Sequence, residues 1–368
     1  MSRFIVFVSI VQSILFLGHW FLYRTLVRFF GVAAPGTLWS LRIILGLLSV
    51  SLVLTSLLAF RYASFPARFL YTVSAGWLGI CYLLIIASAL SWFVFGVLKV
   101  GQISIDRKLL IEILIGMALV TSLYGFINAA TVRTTRVTIQ LPDLPAQWKG
   151  RTAVWVSDLH LGQVRGHGFA HKIAAMIEDL RPDILFVGGD LYDGGAVERD
   201  KVIEPFSRIS PPYGKYFITG NHEQFRDPIE YLPAISGAGF RVLNNEMLEV
   251  DGLQIIGVDY RETRGEEQFR EILKGLKIDR LKPSILLKHT PFHVNVAEEE
   301  GVTFQISGHT HRGQVFLFRF ITSRVYKEYD YGLKQFGRLL IYTSSGAGTW
   351  GPPMRVDTIP EIVVIMFE

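Results

Sequence analysis

The chain has 368 residues, of which 50% are hydrophobic and 19% are charged, and its mean hydropathy of +0.34 is high for a soluble protein of this size. Nine of the 37 Lys and Arg residues and two of the 32 Asp and Glu residues precede Thr131, so the remaining 28 basic and 30 acidic residues leave the rest of the chain at −2. This balance excludes nucleic-acid binding driven by net charge, and the single cysteine, Cys81, excludes an internal disulfide framework or a cysteine zinc site.

Residues 1–130 contain four apolar stretches, at 4–23, 43–60, 69–98 and 109–130, each bracketed by charged residues. A helix of roughly 20 residues spans the hydrocarbon core of a bilayer, so each stretch predicts one transmembrane helix. The first stretch could instead be a signal peptide, but no small-residue cleavage site follows it. We therefore expect residues 1–130 to be a helical membrane anchor, with the lipid bilayer as its partner.

Four spans would place the N-terminus and everything after Ala130 on the same side of the membrane. Five basic residues lie next to the spans on that side and six lie on the opposite side. The positive-inside rule therefore assigns no orientation to this chain.

The segment 131–150 contains two prolines and opens with a strand-like alternation of apolar residues, and we interpret it as a connecting arm. After it, residues 151–368 are expected to form one soluble domain. Strands are predicted at 152–157, 184–188 and 216–219, and helices at 169–180 and 197–209. This β-α-β-α-β order favours parallel strands with helical crossovers.

Seven more apolar runs predict strands at 240–243, 253–258, 284–287, 302–306, 314–318, 339–342 and 362–366. Strands outnumber helices toward the C-terminus. The pattern therefore favours an α/β domain built as a two-sheet β-sandwich flanked by helices, rather than a single doubly wound sheet.

Polar residues follow five of the predicted strands directly. The blocks are Asp158-Leu159-His160, Gly189-Asp190, Gly220-Asn221-His222-Glu223, Lys288-His289 and Gly308-His309-Thr310-His311. Each block alone is a weak signal, because such residues are common in turns and at surfaces. Ligands gather at the carboxyl ends of strands in α/β sheets, so the five blocks together indicate one site.

Oxygen and imidazole ligands without a thiolate suit two divalent metal ions such as manganese, iron or zinc. A pair of ions needs a bridging carboxylate and can hold a bridging hydroxide, because metals lower the pKa of bound water to about 7. Such a hydroxide attacks phosphorus in line. The sequence therefore indicates metal-dependent phosphoryl chemistry, with the metal identity open.

The five ordered blocks resemble the calcineurin-like metallophosphoesterase superfamily over nearly all of 151–368. The tail at 344–363, with Gly346, Gly348, Gly351 and Arg355, further resembles a bacterial membrane-anchored phosphodiesterase subgroup. That subgroup includes enzymes related to the UDP-diacylglucosamine pyrophosphohydrolases of lipid A biosynthesis. The resemblance implies a multi-pass protein of the bacterial cytoplasmic (inner) membrane.

Carried over residue by residue, the resemblance implies two metal positions and one catalytic side chain. The first metal would be held by Asp158, His160 and His311, the second by Asn221, His289 and His309, with Asp190 bridging. His222 would face the substrate, where it would stabilise the transition state or protonate the leaving oxygen.

Other residues have weaker signals, and most of them have two possible roles. Glu223 is expected to orient His222, and Asp193 would either orient a ligand or form a turn. Arg165 and His167 would reach a substrate phosphate or lie in a solvated loop. Arg312 would add a phosphate contact or point to solvent.

The sequence thus predicts a membrane-anchored metal-dependent phosphohydrolase, most consistent with a phosphodiesterase or pyrophosphatase on a lipid-linked or envelope-related phosphate substrate. The alternatives are a phosphomonoesterase acting on phosphoprotein or a small metabolite, and a non-catalytic membrane receptor or scaffold. The complete ligand blocks argue against the last of these. Nothing in the sequence indicates an obligate protein partner.

Overall fold

The computed structural model describes residues 2–225 and 231–368, which form two compact units. The helical unit contains residues up to Ile127 together with the short segment Gly351–Val356. The α/β unit contains Asn128–Trp350 and Asp357–Glu368. The chain therefore returns to the helical unit once, near its C-terminal end.

The helical unit is built on four long apolar helices, as the hydropathy pattern predicts. They are α1 (Ser2–Phe30), α2 (Pro35–Arg61), α3 (Phe65–Val100) and α4 (Arg107–Ala130). Proline stands in the first turn of α2 and α3, where a missing backbone N–H costs no helical hydrogen bond. All four are long and apolar enough to cross a membrane.

The returning segment supplies part of the core of the helical unit. Met354 is fully buried, and glycines of α3 and α4 make room for it. A Cβ atom on Gly125 would lie 2.5 Å from Met354 Cγ, and one on Gly79 would lie 2.9 Å from its Cε. The backbone N–H of Arg355 also donates to the Gly125 carbonyl at 3.0 Å.

The first sheet of the α/β unit has six strands in the order β1-β12-β2-β3-β4-β5. They are β1 (Arg133–Ile139), β12 (Glu361–Phe367), β2 (Thr152–Val156), β3 (Ile184–Val187), β4 (Lys215–Phe217) and β5 (Arg241–Val242). Strands β2 to β5 are parallel, which confirms the crossover pattern. β12 pairs antiparallel with β2, and β1 pairs parallel with β12.

The second sheet also has six strands, in the order β10-β11-β9-β8-β7-β6. They are β10 (Gly332–Phe336), β11 (Leu339–Thr343), β9 (Phe304–Ser307), β8 (Ser284–Leu287), β7 (Leu253–Gly257) and β6 (Glu246–Val250). The four central strands are parallel, and the two edge strands pair antiparallel.

The two sheets bury one apolar core between them, with Trp155, Phe186 and Phe304 among its members. The six described helices of this unit are α5 (His167–Leu180), α6 (Arg199–Ile203), α7 (Leu232–Gly237), α8 (Glu266–Leu276), α9 (Val294–Glu299) and α10 (Phe318–Tyr326). Helices α5 and α7 pack on the outer face of the first sheet, and α8 and α9 on that of the second. The expected α/β sandwich of two sheets is confirmed.

At three places the structure departs from the sequence-based expectations or adds to them. The strand predicted at 314–318 is wrong, since the chain turns there and then enters α10. The helix predicted at 197–209 shortens to α6 and continues as a 3-10 turn at Glu204–Arg208, because Pro205 has no N–H to donate. The segment 131–150 contributes β1 to the first sheet and buries Trp148. The division into anchor, arm and domain stays a prediction.

Candidate metal centre

The candidate ligands lie at the carboxyl ends of strands from both sheets. Asp158 and His160 follow β2, Asp190 follows β3 and Asn221 follows β4 in the first sheet. His289 follows β8, and His309 and His311 follow β9 in the second. Because both sheets end at the same edge of the sandwich, residues more than a hundred positions apart meet there.

The backbone at this edge is strained. Five of the seven candidate ligands have a left-handed backbone, namely Asp158 (φ 55°), His160 (φ 48°), Asp190 (φ 50°), His309 (φ 70°) and His311 (φ 47°). Such conformations are uncommon for residues other than glycine and cluster at functional sites. The packing of the sandwich holds the side chains in place at the cost of backbone strain.

One group of ligand atoms contains Asp158, His160 and His311. The Nε2 atoms of the two histidines lie 3.0 Å apart, and His311 Nε2 is 3.6 Å from Asp158 Oδ1. All three residues are buried or nearly so. Their donor atoms converge as a metal site requires.

A second group contains Asp190, His289 and His309. His289 Nε2 lies 3.3 Å from Asp190 Oδ2, 3.2 Å from His309 Nδ1 and 3.1 Å from Asn221 Oδ1. Its Nδ1 lies 2.8 Å from the Gly188 carbonyl, which can only accept, so this nitrogen carries the proton. That hydrogen bond orients Nε2 toward the other ligand atoms.

Asp190 lies between the two groups. Its Oδ2 is 3.3 Å from His289 Nε2 in one group and 3.9 Å from His160 Nε2 in the other. Its other oxygen accepts the backbone N–H of His222 at 2.8 Å, which fixes the carboxylate. The position matches that of a bridging ligand.

The electrostatics of the cluster favour bound cations. Burial alone would raise the pKa of Asp190, but the neighbouring imidazoles, His289 first, hold it well below its usual range. Burial would lower the pKa of His289, yet Asp190 and Asp158 raise it to about 9. Burial and the adjacent His289 lower the pKa of His309 to about 3. These carboxylates attract positive charge, and the residues fit divalent metals.

His222 stands beside this cluster with Asp193 behind it. Its Nδ1 lies 3.7 Å from Asp193 Oδ1, and its Nε2 lies 3.9 Å from Asp190 Oδ2. The Asp193 side chain is 13% exposed and also lies 3.4 Å from His160 Nδ1. Burial raises the pKa of Asp193 to about 7 and lowers that of His222. The Asp193 carboxylate therefore lies next to the rings of both His160 and His222, on the side opposite to Asp190.

Glu223 does not contact His222 in the way we expected. Its carboxylate accepts backbone N–H groups from Gly220 at 2.8 Å, Asp190 at 2.9 Å and Tyr192 at 3.2 Å. The carboxylate that lies next to His222 Nδ1, at 3.7 Å, is that of Asp193. The reason is geometric, since the longer Glu223 side chain reaches back to the loop that follows β3.

Glycines allow the loops to approach the ligands closely. A Cβ atom on Gly346 (φ +74°) would lie 2.6 Å from Asp158 Cβ, and one on Gly308 would overlap the Asp158 carboxylate. The backbone N–H of Gly348 donates to the Asp158 carbonyl at 2.8 Å. The glycine-rich tail noted in the sequence therefore packs directly against the first ligand.

The three residues proposed as substrate contacts each have another partner. Arg165 Nη2 donates to the Ala129 carbonyl at 2.7 Å, and its guanidinium lies over the Phe169 ring. Arg312 adopts a left-handed backbone (φ 47°), and its guanidinium lies over the Tyr331 ring. A substrate role for these residues stays a prediction.

His167 belongs to a different cluster. It lies with His171 and Glu204 in a group that is partly exposed, with its Nε2 3.9 Å from a Glu204 oxygen. His167 is the first residue of α5. Its predicted contact with substrate is untested.

Sequence reasoning missed the aromatic rim of the centre and a buried lysine. The rings of Tyr260 and Tyr326 lie 6.3 and 6.0 Å from that of His309, and the Trp350 ring lies 5.9 Å from that of His222. Lys288 is fully buried, and burial lowers its pKa to about 7. The sequence shows that Lys288 precedes His289, but it does not show that the Lys288 side chain is buried. The aromatic residues carried no motif that could have identified them.

The known proteins that this chain resembles are named as phosphoesterases. Residues 152–313 match the family described as calcineurin-like phosphoesterase. An uncharacterised metallophosphoesterase of Aquifex aeolicus is 33% identical over 68% of this chain and 98% of its own length. A transmembrane protein with metallophosphoesterase domain from Danio rerio is 28% identical over 98% of this chain and 89% of its own.

Among solved structures, a dimetal phosphatase from Danio rerio covers 54% of this chain and 88% of its own, with 12% identity and a TM-score of 0.36. The convergent ligand groups and the family match lead to one assignment. This chain belongs to the calcineurin-like metallophosphoesterase family and is a hydrolase acting on phosphate esters.

Proposed function

We propose that this protein is a membrane-anchored phosphodiesterase or pyrophosphatase that uses two divalent metal ions on a lipid-linked or envelope-related phosphate substrate. The observation that carries the proposal is the meeting of two separate ligand groups at Asp190. A single metal would need only one of them. When bound, the ions would activate water and neutralise charge on the phosphate oxygens.

We assign the first metal to Asp158, His160 and His311, and the second to Asn221, His289 and His309, with Asp190 shared. The distances within each group support this assignment. The metals would be manganese, iron or zinc, since the set offers oxygen and imidazole without thiolate.

In this proposal His222 is the catalytic residue of the chain. Asp193 Oδ1 lies behind its Nδ1, and its Nε2 is directed toward Asp190. A ring held in this way can donate a proton or a hydrogen bond from Nε2 to a leaving oxygen. Asp193 acts as a positioning residue for His222 and His160, and Glu223 positions the backbone of Asp190.

The membrane location supports a lipid-linked substrate. Four helices long and apolar enough to cross a bilayer precede the α/β unit, and a relative named as a transmembrane protein matches 98% of this chain. The C-terminal glycine-rich tail also resembles that of enzymes related to UDP-diacylglucosamine pyrophosphohydrolases. We propose a multi-pass protein of the bacterial cytoplasmic membrane, with residues 1–130 as anchor, 131–150 as connecting arm and 151–368 as the metallophosphoesterase domain.

The proposal is tested with purified full-length protein in lipid nanodiscs. Metal is removed with a chelator and restored as manganese, iron or zinc, and hydrolysis is followed on lipid-linked diesters and pyrophosphates. Phosphomonoesters and phosphopeptides serve as the comparison panel. We expect restored turnover with two ions per chain and the highest kcat/KM on a lipid-linked diester or pyrophosphate. Higher kcat/KM on monoesters would favour the phosphomonoesterase alternative, and the absence of turnover on every substrate would favour a receptor or scaffold.

A further inference from the structure

Exposed apolar side chains of the α/β unit are concentrated in one segment. Among the described residues after Ala130, ten large hydrophobic side chains are exposed, and six of them lie within residues 316–325. These six are Phe316, Leu317, Phe318, Phe320, Ile321 and Val325. We call residues 316–325 the apolar segment. Monomeric soluble proteins rarely leave such a surface in water, so it marks a binding surface.

The apolar segment is connected to the metal centre. It begins five residues after His311, and Gly313 (φ +79°) packs so closely on the backbone of Arg319 that a Cβ atom there would overlap it. Helix α10 ends at Tyr326, whose ring lies 6.0 Å from that of His309. A change in the position of α10 would therefore move a side chain that packs near the candidate metal ligand His309.

Two further exposed aromatic residues extend this surface around the centre. Phe292 is 36% exposed, and its ring lies 4.6 Å from that of Tyr326. Trp350 is 57% exposed, and its backbone exchanges two hydrogen bonds of 2.9 Å with the Gln314 side chain. The exposed apolar surface thus adjoins both His309 and His222.

The charge of the segment indicates what it contacts. Residues 314–327 contain Arg319, Arg324 and Lys327 and no acidic residue. Arg319 forms an ion pair with Asp357. Every residue of α10 is at least partly exposed. Short helices with Phe, Ile and Val beside Arg and Lys lie in the interface of anionic bilayers, with the apolar side chains among the acyl chains.

A bilayer is a binding surface that this chain would reach, since α1 to α4 are long and apolar enough to cross it. We propose that the apolar segment docks in the interface of an anionic bilayer and brings the rim of the metal centre to lipid phosphates. This inference extends the proposed function, and its expected effect on turnover rests on the proposed lipid-linked substrate. Docking itself has a separate measurement.

Docking is measured with single-cysteine labels on the full-length protein in nanodiscs of phosphatidylcholine and phosphatidylglycerol. Ile321→Cys carries an environment-sensitive fluorophore, and Leu281→Cys is the matched control, because Leu281 is an apolar residue of the same unit that is 83% exposed. The native Cys81 is buried, and the unsubstituted protein gives the background. We expect nitroxide groups on lipid acyl chains to quench the Ile321 label severalfold more than the Leu281 label.

Equal quenching at the two positions would overturn the proposal. A label at Ile321 that is shielded from water but not quenched by nitroxide lipid would also overturn it, in favour of a second copy of this chain as the occupant. The measurement needs no turnover, so it decides docking even if the proposed substrate proves wrong.

The consequence for turnover is tested with the double variant Phe320→Glu and Ile321→Glu, against Leu281→Glu. We expect the ratio of kcat/KM on a lipid-linked diester in nanodiscs to kcat/KM on a soluble diester to fall roughly tenfold or more, since two apolar contacts with the bilayer are lost. Leu281→Glu should leave the ratio unchanged. Equal loss of both activities with metals retained would place the segment in the metal centre itself and contradict docking.

Discussion

The helical unit and the α/β unit differ in the hydrogen bonds that their buried side chains make. In the helices, buried hydroxyls donate within their own turn, as Thr25 does to the Phe21 carbonyl and Ser122 to the Ala118 carbonyl. Indole N–H groups connect one helix to another, since Trp92 Nε1 donates to the Thr25 hydroxyl and Trp77 Nε1 lies 2.9 Å from His19 Nε2. In the α/β unit, the Asp158 carboxylate accepts the backbone N–H of His309, 151 positions away. Changes at these helical hydroxyls should therefore stay local, and changes within the helices should affect the stability of the helical unit more than the metal centre. Changes at the strand ends should affect the whole metal centre.

The largest effect is expected at Asp190, where the long-range contacts meet. Asp190→Asn should abolish hydrolysis and reduce bound metal, because the amide loses the charge that both ligand groups share. Turnover and metal content by elemental analysis are the measurements, and circular dichroism checks the fold. Wild-type turnover with two bound ions would refute the bridging assignment.

A large but different effect is expected at His222. His222→Ala should retain both metals and lose roughly 10² to 10⁴ in kcat, the usual value of a positioned acid or base. His293→Ala is the matched control, since His293 bonds to the Arg264 carbonyl outside both ligand groups. Loss of one ion from His222→Ala would make His222 a ligand and change the division of roles.

Removing the helical unit tests how far the two units are independent. A chain beginning at Asn128 keeps every proposed ligand and the hydrogen bond from Asn128 Nδ2 to the Thr358 carbonyl. It should bind metal and hydrolyse a soluble diester with kcat/KM within about tenfold of the full-length value, but lose efficiency on a lipid-embedded substrate, since anchoring raises the local concentration. An unchanged ratio of the two activities would point to a soluble substrate.

The smallest effect on activity is expected inside the helical unit. Gly125→Leu should crowd Met354 and destabilise this unit by about 1–3 kcal/mol, the usual cost of overpacking. Ser122→Ala on the same helix, which removes only a bond within its own turn, is the control. Thermal unfolding in detergent measures both, and turnover on a soluble diester should change by less than about twofold. A large loss of turnover in Gly125→Leu would show that effects in the helices do not stay local.

Features that depend on residues close together in the chain could be predicted from the sequence. Long apolar stretches predicted α1 to α4 because hydrophobic length is a local property. The β-α-β-α-β order and the polar blocks after strands predicted the first sheet and the ligand candidates, since parallel strands of a sheet end together. The run at 314–318 was misread because a short apolar run is compatible with either a strand or an exposed turn and helix.

Which side chains meet at the metal centre depends on tertiary packing and could not be predicted from the sequence. Whether Asp193 or Glu223 stands behind His222 depends on how the loops after β3 and β4 pack, and side-chain length alone does not determine that. Tyr326 and Trp350 come to the rim, and Met354 enters the core of the helical unit, through contacts between residues far apart in the chain. Such contacts depend on the packing of two sheets and four helices, and no local pattern of residues encodes them.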